Sequence, residues 1–164
     1  MFPQFRTILV ATDFSETSDR ALRYARSLAV SFGGSLHLLH VVPDPVLASA
    51  WSEAYAYDLT AMGERLRVDA ERQLAEKAQT IRDVAVTTEA MVGNPAALIA
   101  LTAHVRHADV IVMGTHGRSG FTHFFMGSVA ERVVRTAECP VLTVREPAAA
   151  RNTRHSDEVG AARV

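Results

Sequence analysis

Five short runs rich in Ile, Leu and Val, "RTILVATD", "SLHLLHVVP", "VAVTTEAMV", "DVIVMG" and "CPVLTVR", are separated by stretches whose apolar residues return every three or four positions. No other feature narrows the fold as much. A strand, a helix and a further strand in sequence form a parallel pair only if the helix crosses back over the sheet, and the favoured crossover is right-handed. The alternation predicts an α/β fold: a single domain with a five-stranded parallel sheet and helices on both faces. "DVIVMG" is apolar almost without interruption, as a strand covered on both sides should be.

The helical stretches differ in clarity. "SETSDRALRYARSLAVSFGG" brings Ala21, Leu22, Ala25, Leu28, Ala29 and Phe32 to one side and stops at Gly33-Gly34. From Glu64 to Arg82, Leu66, Ala70, Leu74, Ala78 and Ile81 form one face of a second helix. Asp44 to Gly63, with its prolines, Trp51 and two tyrosines, has no clean period and reads as an irregular excursion. A third helix opens at Pro95, with Leu98, Leu101 and Val105 as its apolar stripe, and "SVAERVVRTAE" is a short fourth. The domain is expected over residues 1–146. Residues 147–164 hold too few large apolar groups to offset their ordering entropy and are expected to form a mobile tail.

Composition removes several function classes. Seventeen basic and eighteen acidic residues are intermixed for a formal net charge of −1, which disfavours nucleic acid and anionic membrane as partners. No apolar run approaches the ~20 residues of a membrane span, and the N-terminus lacks the order of a signal peptide, so a cytoplasmic location is expected. Cys139 is the single cysteine and reads as a small buried residue ahead of the last strand. His37 and His40 fall on opposite faces of a strand, and His104 and His107 share a helix face without a third ligand, so no metal site is expected.

The chemistry concentrates in "GTHGRSGFTHFFMGSVAER", Gly114 to Arg132. Glycines let backbone amides approach a ligand, and the amides opening the following helix carry its positive dipole end, which together suit a phosphate. Two familiar phosphate motifs are excluded. A Walker loop needs a lysine after its last glycine, and the only lysine, Lys77, lies in a helix. A dinucleotide fingerprint belongs after the first strand, where "ATDFSE" has no glycine.

Two residues admit two readings each. Ser128 and Glu131 match a capping box, so Ser128 either only caps the last helix or also donates its hydroxyl to a phosphate. Asp13, with Glu16 three residues on, either caps the first helix or stands where a ribose hydroxyl would be held. Arg118, rather than His116 or His123, is the loop's candidate ligand. No nucleophile, general base or carboxylate pair accompanies the loop, which favours a binding protein over an enzyme.

The spacing Gly114-x2-Gly117-x9-Gly127-Ser128, together with "ILVATDFSETSDRAL" and "CPVLTVR", resembles the nucleotide-binding branch of the universal stress proteins over about residues 4 to 146. The resemblance implies a Rossmann-like sheet ordered 3-2-1-4-5, an ATP site and a homodimer through the last strand, Val141, Leu142, Thr143, Val144 and Arg145. That order would put Asp13 and Gly114 on either side of one switch-point crevice, which favours a ligand role for Asp13. Carried over residue by residue, Ala11 and Asp13 meet the nucleoside, and Val41 offers its backbone to the adenine edge. Met113, Gly114, Gly117 and Arg118 wrap the ribose and phosphates, and the amides of Gly127, Ser128 and Val129 hold the phosphate chain. Magnesium or manganese would be held mainly through the phosphates.

The function expected on these grounds is that of a cytoplasmic ATP-binding stress-response protein, a nucleotide-dependent sensor or regulator. Slow ATP hydrolysis or self-phosphorylation, with Ser128, Thr115 or Ser119 as acceptor, and a nucleotide-free interaction module are the alternatives.

Overall fold

A computed structural model describes residues 4–45, 56–115 and 126–145. Strands β1 (Thr7–Ala11), β2 (Ser35–Pro43), β3 (Ala85–Gly93), β4 (Val110–Gly114) and β5 (Val141–Val144) form one sheet in the order β3-β2-β1-β4-β5. Every pairing is parallel. The expected five strands and their order are therefore present, as are helices on both faces: α1 (Glu16–Phe32), α2 (Ala56–Gln79), α3 (Pro95–Val105) and α4 (Ser128–Thr136).

Alternate residues of the central strands supply two cores. Ile8, Val10, Leu36, Leu38, Val110 and Val112 pack with Ala21, Ala25 and Ala29 of α1 and with Ala70 and Leu74 of α2. Leu9, Leu39, Val41, Ile111 and Met113 pack with Ala96, Ile99 and Ala103 of α3 and with Val133 of α4. Sealing one such Leu or Ile side chain from water stabilises the fold by about 1.5–3 kcal/mol.

Three local expectations change. Helix α2 begins at Ala56, so the second half of the excursion is helical. Gly63 hid this, since glycine costs roughly 1 kcal/mol in a helix interior. It is retained because a Cβ there would stand 3.3 Å from Pro45 Cδ and 3.5 Å from Val92 Cγ1, where the helix crosses the end of β3. In α3 the apolar stripe is not the buried face: Leu101 and Val105 are 54% and 65% exposed, while Ala96, Ile99 and Ala103 face the sheet. Small residues let that helix lie close against the strands, and proximity decides the face over side-chain size. Finally, α1 is capped by Ser15, whose side chain accepts from the Ser18 amide, not by Asp13.

Strand β1 is flanked by β2 on one side and β4 on the other, and the chain leaves these neighbours in opposite directions. A switch point of this kind opens a crevice beyond the carboxyl ends of the strands. The expected C-terminal tail, 147–164, lies outside the described residues, which end at Arg145.

Candidate functional site

At that switch point lies a crevice of about 590 Å³, within the size range of small-molecule sites. Ala11, Asp13, Val41, Met113, Gly114, Gly127, Ser128 and Val129 all line it. Gly117 and Arg118 fall outside the described residues, as do His116, Ser119, Gly120 and His123.

One wall follows from unequal strand lengths. The Thr12 amide donates to the Leu39 carbonyl at 2.9 Å, and β1 pairs with β2 no further than Leu39. Strand β2 continues to Pro43 with, among the described residues, β3 alone as its paired neighbour. Peptide groups alternate sides along a strand, so Val41, two residues beyond Leu39, turns its N–H and C=O toward the place β1 has vacated. A donor and an acceptor on one residue thus face the crevice.

The turn from β1 into α1 is held by its own hydroxyls. Asp13 Oδ1 accepts from the Ser15 amide (3.1 Å) and hydroxyl (2.6 Å). The Phe14 amide donates to Thr12 Oγ1 at 3.1 Å, and the Ser18 hydroxyl donates to the Ser15 carbonyl at 2.8 Å. Phe14 takes a left-handed backbone, φ 64°, a strained conformation for a bulky residue. Its ring packs on His40 at 4.5 Å between centroids, and His40 Nδ1–H donates to the Thr12 carbonyl at 2.7 Å. Burial pushes the Asp13 carboxyl up, but the Ser15 hydroxyl and amide and the Ser18 hydroxyl outweigh it and hold the pKa below the ordinary value, so Asp13 is ionised at neutral pH.

The opposite end is the start of α4. Gly127 is the N-cap and Ser128 the first helical residue, with no side-chain cap bond, so the capping-box reading of Ser128 does not hold. Its side chain is exposed at the crevice instead. The Gly127 amide is committed: it donates to the Thr115 carbonyl at 2.7 Å. The amides of Ser128, Val129 and Ala130 sit in the first turn, where no intrahelical acceptor exists and the helix dipole is positive. Of the three amides expected to meet phosphate, those of Ser128 and Val129 lie in the first turn of α4, and that of Gly127 is bonded to Thr115.

Sequence reasoning missed Thr12, Phe14, Ser18 and His40 as lining residues, named Thr115 only as a possible phosphate acceptor, and missed the wall that α2 contributes through Leu66, Asp69 and Gln73. His40 adjoins a predicted residue and was within reach of the strand argument. The α2 wall had no signal, because only packing brings that helix over the end of β2. Among the described residues no cluster of three or more His, Cys, Asp or Glu could hold a metal, and no helix is long and apolar enough to cross a membrane.

Comparison with known proteins fits this arrangement. Residues 4–145 match the model of the universal stress protein family. Universal stress protein MJ0531 of Methanocaldococcus jannaschii is 32% identical over 145 residues, 87% of this chain and 84% of its own. The fold resembles that of universal stress protein UspA from Lactobacillus plantarum, with TM-score 0.77 and 25% identity over 87% of this chain and 99% of that one. A universal stress protein solved in complex with cAMP aligns at TM-score 0.59 and 23% identity, over 88% and 99% of the two chains. A sheet of this order and a match spanning nearly all of the described residues have one reading: the chain belongs to the universal stress protein family.

Proposed function

We propose that this protein is a cytoplasmic stress-response regulator that binds ATP in the switch-point crevice. The observation that carries the reading is the pairing of two chemically distinct ends within one cavity. At one end the ladder-free N–H and C=O of Val41 match the acceptor N1 and donor N6 of an adenine edge. At the other the first-turn amides of α4 suit phosphate. Between them the ionised Asp13 suits ribose hydroxyls, with Ala11, Met113 and Gly114 forming the floor. Gly117 and Arg118 would close over the phosphates, and magnesium or manganese would be carried by the phosphates themselves. That a relative of this fold was solved with cAMP is consistent with an adenine nucleotide.

The edge strand β5 supports a homodimer as the assembly. Its Leu142 is 37% exposed, and among the described residues only β4 pairs with the strand. Pairing with a second copy through residues 141–145 would remove an open edge.

The test is direct. Protein purified without added nucleotide is denatured and any released nucleotide identified by chromatography, then ATP binding to the native protein is titrated. The expectation is ATP or ADP released from the native protein, or ATP taken up on titration, and neither from Gly127→Arg. A folded native protein that carries no nucleotide and binds no added ATP would refute the reading.

A further inference from the structure

The crevice and the β5 edge meet at one residue. Thr115 lines the crevice, is 1% exposed, and follows the last residue of β4. Its amide donates to the Val144 carbonyl at 2.9 Å, its hydroxyl reaches the same carbonyl at 3.3 Å, and its own carbonyl accepts the Gly127 amide at 2.7 Å. The end of β4, the start of α4 and the end of β5 are therefore joined through the atoms of a single threonine.

Strand β5 is four residues long and, among the described residues, pairs only with β4. The Ile111 amide donating to the Pro140 carbonyl (2.9 Å) holds one end, and the Thr115 bonds hold the other. Because the Pro140 and Val144 carbonyls point toward β4, alternation turns the peptide groups of Val141 and Thr143 outward. These are the groups a second copy would pair with.

We infer that occupation of the crevice and pairing at β5 are thermodynamically coupled through Thr115, so that bound nucleotide favours association with a second copy of this chain. The inference rests on the proposed nucleotide site and pairing edge, and adds the link between them. A phosphate held on the first turn of α4 fixes Gly127, and with it Thr115 and Val144. A partner strand on β5 fixes Val144, and with it the same chain of bonds in reverse. When two events order the same atoms, the second meets an ordering cost already met by the first, and the coupling is reciprocal.

The experiment is sedimentation equilibrium of the full chain with and without saturating ATP and magnesium, paired with calorimetric ATP titrations above and below the dimer dissociation constant. ATP is expected to tighten the dimer by about 5- to 150-fold, the usual span of site-to-site coupling, and dimerisation to tighten ATP by the same factor. Thr143→Pro removes an outward N–H and leaves the β4 ladder intact; it should yield a folded monomer with the weaker ATP affinity. Thr115→Val, checked for native circular dichroism, keeps the two backbone bonds and removes the hydroxyl bond to Val144; it should lower the coupling ratio, and Thr115→Ser should restore it. A wild-type protein that binds ATP and dimerises with a ratio of one would overturn the coupling while leaving the nucleotide site standing. So would a dimer that survives Thr143→Pro. Absence of ATP binding would overturn the nucleotide reading itself, and the coupling with it.

Discussion

Replacing Ser128 with proline separates the phosphate role of α4 from its structural role. Ser128 is the first helical residue, where proline is favoured because its fixed φ suits the helix and the missing N–H has no intrahelical acceptor. The residue before a proline must be extended, and Gly127 already has φ −58° and ψ 148°. Folding should therefore be unharmed, or gain a few tenths of a kcal/mol from a stiffer unfolded chain. What the substitution removes is one amide at the phosphate end of the crevice. A hydrogen bond to a charged group contributes about 1.5–3 kcal/mol, and each 1.4 kcal/mol is tenfold in affinity, so ATP should bind roughly ten- to 150-fold more weakly. Ser128→Ala keeps the amide and loses only the hydroxyl, and serves as the control. Calorimetric titration gives the dissociation constants, and thermal unfolding without nucleotide gives the stabilities. If Ser128→Pro unfolds like the wild type and binds ATP equally well, the first turn of α4 is not the phosphate site. If it unfolds several degrees lower, the assignment of Ser128 to the first helical position is at fault.

Two further outcomes test the fold. Gly34→Ala would put a Cβ 2.6 Å from the Phe5 carbonyl oxygen and 2.7 Å from that of Arg6; backbone must move, and urea unfolding should show a loss of about 1–3 kcal/mol, whereas a loss under ~0.5 kcal/mol, the scale of an ordinary surface change, would contradict the close approach of Gly34 to the backbone ahead of β1. Burial, reinforced by the Arg106 charge, pushes the pKa of His37 below its ordinary 6.5 despite the Glu89 carboxylate at 3.0 Å. The unfolded chain then binds the proton more readily, so this contribution is complete above about pH 6.5 and is lost as pH falls below it, at no more than ~1.4 kcal/mol per unit. Stability measured from pH 7.5 to 5.5 should decline less steeply in His37→Gln, and identical slopes would show that His37 titrates normally.

Much of the architecture was legible in the residues alone, because strand and helix periods are local properties. "DVIVMG" is apolar on every side because β4 is covered on both faces, and "SFGG" stops α1 because Gly33 takes the left-handed conformation, φ 62°, that caps it. Gly127 and Ser128 likewise marked the start of α4 at the cavity. The local signal failed where long-range packing set the outcome. A glycine inside α2 looked like a break until the proximity of Pro45 and Val92 explained it, and the larger side chains of α3 pointed outward because the smaller ones let the helix approach the sheet.

The site divides along the same line. Residue type and spacing singled out Asp13 and Ser128 as candidates, since a carboxylate and a helix start each carry their chemistry wherever they occur, and the family resemblance added Val41. Only the tertiary structure decided which groups are available. Val41 is open because β1 stops short of it, the Gly127 amide is occupied because Thr115 reaches it, and Ser15 takes the cap that would otherwise have fallen to Asp13. A sequence determines which donors and acceptors a chain possesses. Which of them remain unsatisfied, and so face a ligand, depends on neighbours brought together from distant positions by the closing of the sheet.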